Sequence, residues 1–130
     1  MHFSHVGENI TQVVYAVKLW LTLLLVSVMI VTQTSERINV VTRIAEIQSL
    51  VRDGLYYLTE HADDEAIADG FDIYDVEQGV LSGKVRRTWP KESTFEIVGF
   101  ALDKRRIGIV CRITKGGKVR VITVYEDNPK

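Results

Sequence analysis

The chain has 130 residues, which is enough for one domain or for one domain with an appendage. Apolar residues make up 46% of it and charged residues 25%, and this balance excludes wholesale disorder. The single cysteine, Cys111, excludes an internal disulfide. The sequence contains no Cys/His cluster with metal-ligand spacing, no glycine-rich phosphate loop and no G-x-S-x-G motif. We therefore expect neither a metal nor a cofactor.

The net charge of −1 hides a strong asymmetry along the chain. Between Glu36 and Ser82 there are eleven acidic residues and three basic ones, whereas the part from Gly83 onward has twelve basic and five acidic residues. An acidic half followed by a basic half predicts a bipolar surface whose basic side meets a polyanion. Internal pairing between the two halves is the alternative.

An apolar segment occupies residues 1–34, and its centre, Val13 to Thr32, is interrupted by a single charge at Lys18. Its length approaches the roughly 20 apolar residues that a membrane-spanning helix needs. It fits three interpretations: a single membrane anchor, an uncleaved signal, or sequence upstream of a true start at Met29. A basic start and a small-residue cleavage site are both lacking, which disfavours a cleaved signal.

These interpretations lead to two localisations for residues 35–130, which we predict to be a compact domain. A start at Met29 gives a cytoplasmic protein. If the apolar segment inserts, Arg37 and Arg43 directly after it favour an inner-membrane anchor with a cytoplasmic domain.

Three helices are predicted in the first half of that domain. The first begins at Ser35 and stops at Asp53-Gly54, and a short strand, Leu55 to Leu58, follows it. Helix-capping residues mark the other two helices: Thr59 and Gly70 bound one, and Asp72 and Gly83 bound the next, Ile73 to Ser82. Both glycines are expected to end their helices with a positive φ. His61, in the first turn after Thr59, is expected to face the sheet.

Strand signals replace the helical period after Gly83. The predicted strands are Lys84 to Trp89, Thr94 to Leu102, Arg106 to Thr114 and Lys118 to Glu126, and Lys115-Gly116-Gly117 is a hairpin signal. Short turns between consecutive strands predict an antiparallel meander with the last two strands at its centre. The expected fold is α+β, with helices covering one side of the sheet and the apolar helix appended. The tail from Asp127 to Lys130 is expected to fray.

Several residues together resemble the bacterial domain of unknown function 4258 family. They are His61-Ala62, Gly70, Phe71, Ile73, Val76, Gly83 and the closing run Ile122 to Glu126, and the resemblance extends from Ile44 to Asp127. It implies a toxin of a type II toxin–antitoxin pair, similar to the RelE-like and MqsR-like mRNA interferases. It also implies a RelE-like fold, RNA as substrate, and a cognate antitoxin that is often a zinc-finger protein.

A metal-free ribonuclease needs a base, an acid and cations that stabilise the charged phosphorane. The expected catalytic residues are His61, as base or acid, and Tyr125, and the expected phosphate-binding residues are Arg86, Arg87, Arg112 and Arg120. The hairpin turn predicts that Arg112 and Arg120 form a cross-strand pair able to clamp a phosphate. We expect His61 and these arginines to converge on one solvent-open hollow.

Structural roles remain open for the same residues. In the alternative interpretation, His61 forms a hydrogen bond with a neighbouring backbone carbonyl. Arg112 and Arg120 would then form ion pairs with Glu96 or with the acidic helices. The alternative function is a non-catalytic module that binds a protein through an exposed sheet edge, either free or tethered to a membrane.

Overall fold

A computed structural model describes the backbone of residues 3–128 and the side chains of residues 13–35 and 37–128. The helices are α1 (Phe3–Arg52), α2 (Glu60–Ala68) and α3 (Ile73–Ser82). The strands are β1 (Tyr56–Leu58), β2 (Lys84–Trp89), β3 (Thr94–Phe100), β4 (Arg106–Ile113) and β5 (Val119–Glu126), with a 3₁₀ turn at Pro90–Glu92. The chain divides into two compact units, Met1–Asn39 and Val40–Lys130.

The described part of the first unit is helical, and its apolar side chains from Val13 to Val31 are exposed. The helix is long and apolar enough to cross a membrane, and a signal sequence near the N-terminus would meet the same criteria of length and hydropathy. The prediction that a separate helix begins at Ser35 was wrong, because α1 continues through this position to Arg52. Neither glycine nor proline occurs between Gly7 and Gly54, so nothing in the sequence breaks the helix there.

Local capping forms α2 and α3 as the sequence predicts. The Thr59 hydroxyl accepts a hydrogen bond from the Ala62 amide at 3.1 Å, and Asp72 and Asp75 form a reciprocal capping box at the start of α3. Gly70 follows α2 with a φ of +75°. The predicted positive φ at Gly83 was wrong, because this residue has a φ of −87°. Glycine is needed there for space, since a Cβ would lie 2.4 Å from Ile97 Cγ2.

The five strands form one sheet in the order β1-β5-β4-β3-β2. The pairs β2–β3, β3–β4 and β4–β5 are antiparallel, but β1 pairs in parallel with β5. The sheet is therefore mixed, which corrects the expected antiparallel meander. Here β1 satisfies backbone groups at the outer edge of β5: the Val119 amide donates to Leu55 O, and the Thr59 amide donates to Val121 O.

One face of the sheet carries the hydrophobic core. The buried side chains on this face include Ile97, Ile107, Ile109, Cys111, Val119, Val121 and Val124. Ile47 and Val51 from the end of α1, Ala62 and Ala66 from α2, and Val76 and Val80 from α3 complete the same core. All three helices thus pack on this face. We call the opposite side, to which Tyr57, Glu96, Arg112, Arg120 and Tyr125 belong, the open face.

Candidate functional site on the open face

Two β-bulges decide which side chains reach the open face. Alternation along a regular strand places residues an odd number apart on opposite faces, which would separate Arg120 from Tyr125. The β4–β5 register shifts between Val110 and Cys111, so Ile122 has no partner on β4. As a result Val121 and Val124 both lie in the core, while Arg120 and Tyr125 share the open face.

The second bulge lies in β2. Its pairing with β3 shifts between Val85 and Arg87, which leaves Arg86 without a partner in the register. The consecutive residues Arg86 and Arg87 therefore both approach Glu96, with Nε to Oε2 distances of 3.3 and 3.9 Å. A bulge that re-aims a side chain in this way is common next to functional sites.

Tyr125 connects three strands. It lies opposite Gly108 on β4, and a Cβ on that glycine would stand 2.1 Å from Tyr125 Cζ. The ring crosses β4 over this glycine, and the hydroxyl donates to Glu96 Oε1 on β3 at 2.6 Å. Arg86 on β2 donates to the same hydroxyl from its Nη2. The cluster thus joins a phenol, a carboxylate and a guanidinium within direct contact.

Asp127 extends this cluster at the end of β5. Its two carboxylate oxygens lie 2.9 Å from Arg86 Nη1 and 2.9 Å from Arg106 Nη2. Only 13% of the Asp127 side chain is exposed, so the expectation that the tail frays from this residue was wrong. Residues 129–130, which belong to the same expectation, lie outside the described residues.

The contacts of the cluster set its protonation states. Burial and the hydrogen bond to Glu96 raise the pKa of Tyr125 to about 12. Burial alone would raise the pKa of Glu96, but the hydrogen bonds from Tyr125 and Arg86 outweigh it and lower that pKa. Hydrogen bonds to Glu96 and Asp127 raise the pKa of Arg86. Near neutral pH the cluster therefore holds a neutral phenol between a carboxylate and a guanidinium.

The arginine pair expected at the terminal hairpin forms. Arg112 on β4 and Arg120 on β5 are directly opposite each other in the register. The Nε atoms of both are buried and have no hydrogen-bond partner in the structure. Within residues 13–35 and 37–128, neither arginine has an acidic residue in ion-pair contact, because Glu96 pairs with Arg86 and Arg87 instead.

Aromatic residues flank this arginine pair. The register continues from Arg120 to Tyr57 on β1, and from Arg112 through Thr94 to Trp89 on β2. Trp89 also stacks with Arg87, whose Cζ lies 5.7 Å from the ring centroid. One row across all five strands therefore reads aromatic, arginine, arginine, threonine, aromatic.

Among the described side chains, no contact joins His61 to this cluster. It lies in the first turn of α2, its side chain is 74% exposed, and its Nε2 is 3.1 Å from Glu65 Oε1. The expectation that it faces the sheet was wrong, because the adjacent Ala62 occupies the buried side of α2. Glu65 in turn accepts a hydrogen bond from the Val124 amide at 3.4 Å.

Sequence reasoning placed neither Glu96 nor Asp127 in the site, and it considered Glu96 only as a partner of Arg112 and Arg120, whereas the structure pairs it with Arg86 and Arg87. A signal for Glu96 was present, since it is a carboxylate in the middle of the apolar run T-F-E-I-V-G-F and is only 8% exposed. A buried carboxylate needs a hydrogen-bonding partner, which is what Tyr125 and Arg86 provide. Asp127 gives no comparable signal, because it follows the last strand in a short polar tail.

Comparison with known protein families identifies the family to which the chain belongs. The model of the domain of unknown function DUF4258 matches residues 58–126, which is more than half of the chain. The chain belongs to this family. Comparison of the chain with curated proteins and with solved structures found no match.

Proposed function

We propose that this member of the DUF4258 family binds RNA on the open face and cleaves it, acting as the toxin of a type II toxin–antitoxin pair. The observation that carries the proposal is the Arg112–Arg120 pair. Two like charges placed directly opposite each other on a sheet are destabilising, and a bound anion would relieve their repulsion. The planar guanidinium groups match a phosphodiester, to which arginine can donate two parallel hydrogen bonds.

The aromatic row supports single-stranded RNA as the anion. Such strands are bound by cationic groups along the backbone and by aromatic rings on which bases stack. Tyr57 and Trp89 stand at the two ends of the row that contains the arginine pair. Tyr57 is 42% exposed and available for stacking.

The neighbouring cluster supplies groups for metal-free cleavage. In this reaction the ribose 2′-oxygen loses its proton and bonds to phosphorus, and the bond from phosphorus to the 5′-oxygen breaks as that oxygen gains a proton. The Tyr125 hydroxyl, already hydrogen-bonded to ionised Glu96, is our candidate for one proton transfer. Arg86 is our candidate for stabilising the charged phosphorane. His61, whose described side-chain contact is with Glu65, is tested separately.

The position of the helices within Val40–Lys130, as far as its residues are described, also favours this proposal over a protein-binding module. In this unit the end of α1 (Ile47 and Val51), α2 and α3 contribute to the core on the other side of the sheet, and we propose that RNA reaches the arginines from the open face. We further propose that strands β2 to β5 with their helices form a RelE-like core and that the partner is a cognate antitoxin, such as a zinc-finger protein. The protein would act in the cytoplasm, either free or anchored to the inner membrane by α1.

Growth and cleavage assays on the full chain test the proposal. Expression should arrest bacterial growth, and the purified protein, kept in non-ionic detergent, should cut single-stranded RNA in the presence of a chelator. Arg112→Gln with Arg120→Gln should relieve the arrest and weaken RNA binding, with a smaller salt dependence of affinity. Lys115→Gln, an exposed charge on the same hairpin, is the matched control.

The outcomes separate the residues. Tyr125→Phe should abolish cleavage while leaving RNA affinity within a factor of about two, because the arginines remain. Unchanged toxicity of His61→Ala would remove the histidine from the mechanism. The nuclease proposal fails if the wild-type chain neither arrests growth nor cuts RNA, or if the double arginine variant binds RNA as tightly as the Lys115→Gln control.

A further inference from the structure

A second feature of the open face lies where β2 begins and β3 ends. Lys84, Arg86, Val98, Phe100 and Arg106 line a hollow of about 330 Å³, together with Val85 and Gly99. Lys84 lies opposite Val98, and Phe100 lies opposite Arg106, so these four side chains share the open face. Its lining thus combines aliphatic side chains, one aromatic ring and three cationic groups.

The lining of this hollow carries no acidic residue. Two of its cations are already in ion pairs, because Arg86 contacts Glu96 and Asp127, and Arg106 contacts Asp127. Lys84 has no acidic partner in the part of the chain whose side chains are described. The three cations thus outnumber the two carboxylates that touch them, and an anionic group entering here meets a net positive charge.

Phe100, at the end of β3, is an exposed aromatic side chain. It is 51% exposed, although Phe95 on the same strand is buried in the core. An exposed ring beside cationic side chains suits a ligand that is flat at one end and negatively charged at the other. Nucleotides have this chemistry, since every base has a stacking face and the phosphate carries the charge.

We propose that this hollow is a nucleotide subsite, in which a base stacks on Phe100 while Lys84 and Arg106 contact the attached phosphate. The inference rests on the proposed function, and it names the place for a nucleotide next to the scissile phosphate. Arg86 connects the two sites, because it lines the hollow and also donates to the Tyr125 hydroxyl. A nucleotide held here would set which base precedes or follows the cut.

Binding of small probes to the full chain tests the subsite independently of cleavage. The probes are the four ribonucleoside 5′-monophosphates, with ribose 5-phosphate as the analogue that lacks a base. At least one nucleotide should bind about tenfold or more tightly than ribose 5-phosphate, which is the size of effect expected from base stacking on an aromatic ring. Phe100→Ala should abolish that difference, and Phe100→Trp should preserve it.

The matched control is Leu102→Ala, which removes an apolar side chain of similar exposure, 62%, just beyond the same strand and outside the hollow. It should leave nucleotide affinity unchanged. Lys84→Gln should weaken nucleotides and ribose 5-phosphate equally, because both carry the phosphate. Folding of each variant is verified by circular dichroism, and Phe100→Leu provides a second, more conservative loss of the ring.

Failures of the two proposals are distinguishable. If the wild-type chain binds ribose 5-phosphate as well as every nucleotide, or if Phe100→Ala and Phe100→Leu keep the preference for the base, the subsite is refuted whether or not RNA is cut. If nucleotides bind as described and RNA is not cut, the subsite holds and the nuclease proposal fails. If RNA is cut, Phe100→Ala should also change the preferred cleavage position, and an unchanged pattern would contradict the subsite.

Discussion

Tyr125 on β5 reaches Glu96 on β3 by crossing the intervening strand at Gly108, and the two side chains meet at 2.6 Å. This contact is possible because Gly108 has no Cβ. One side chain of the open face therefore spans two strand spacings, and its position depends on the missing Cβ of one glycine.

Gly108→Ala is expected to displace Tyr125 from Glu96. The added Cβ would overlap the end of the tyrosine ring, which can swing away, so the backbone should survive while the hydrogen bond is lost. Breaking a hydrogen bond to a buried charged group costs about 1–3 kcal/mol. Urea denaturation should show a decrease in the free energy of unfolding of that order.

Two comparisons check that the effect acts through Tyr125. Gly116→Ala, where the nearest atom to the new Cβ is 3.8 Å away and φ is not positive, should leave stability unchanged. The double variant Gly108→Ala, Tyr125→Phe should be no less stable than the less stable of the two single variants. Additive losses would show that Gly108→Ala disturbs something other than the tyrosine.

Tyrosine titration gives a direct signature of the cluster. The chain has five tyrosines, and the pKa values of Tyr56 and Tyr125 are both raised to about 12, in each case by burial and by a hydrogen bond to a glutamate. Near-ultraviolet absorbance should therefore show two tyrosinates forming near pH 12 while circular dichroism still reports a folded chain. Tyr125→Phe should remove one of them, and Tyr74→Phe, at an exposed position, should remove neither.

The same shift links to stability with a definite sign. The folded state holds the Tyr125 proton more tightly than the unfolded state, whose tyrosines titrate near pH 10. The stabilisation is complete below about pH 10 and is lost as pH rises toward 12. A Tyr125→Phe variant whose stability falls as steeply as that of the wild type across this range would contradict the assignment.

The local structure was predictable because its signals are local. Thr59 and Asp72 cap helices through their own side chains, and the predicted bounds of β2 agree with the structure. The parallel pairing of β1 with β5 was not predictable in this way. It joins residues about 60 positions apart, and three residues, Tyr56–Leu58, carry no signal for direction.

The open face shows a further limit of period-2 reasoning. The register shift at Ile122 places Arg120 and Tyr125 on the same face of the sheet. The run V-R-V-I-T-V-Y, however, contains no glycine that would indicate a bulge. The corner between α2 and α3 depends on a contact that is likewise distant in sequence. Arg105 donates to the carbonyls of Asp69 and Gly70, which lie 36 and 35 positions before it, and its guanidinium stacks on Phe71.

Acid should weaken the cluster through Glu96. Its pKa is lowered in the folded state, so the carboxylate stabilises the fold above the ordinary value of 4.5 and this contribution is lost as pH falls through the lowered value. Glu96→Gln should be less stable than the wild type near neutral pH, and the difference should shrink below about pH 4.5. Glu92→Gln, at an exposed position, is the control, and a Glu96 difference that stays constant into acid would contradict the prediction.

The Arg112–Arg120 pair should cost stability in the absence of a ligand. Cross-strand pairs typically contribute roughly 0.2–1 kcal/mol, and like charges directly opposite each other destabilise the sheet. Arg112→Gln and Arg120→Gln should therefore each raise the free energy of unfolding by an amount of that order. The two gains should not add, because removing either charge already removes the repulsion.

Added salt should stabilise the wild type more than either variant, since it screens the same repulsion. Thermal denaturation at several salt concentrations measures this, with Lys115→Gln as the control for loss of one positive charge. A lower melting temperature for both arginine variants would show that the pair is stabilised by partners within the chain, and the argument for a bound anion would then lose its basis.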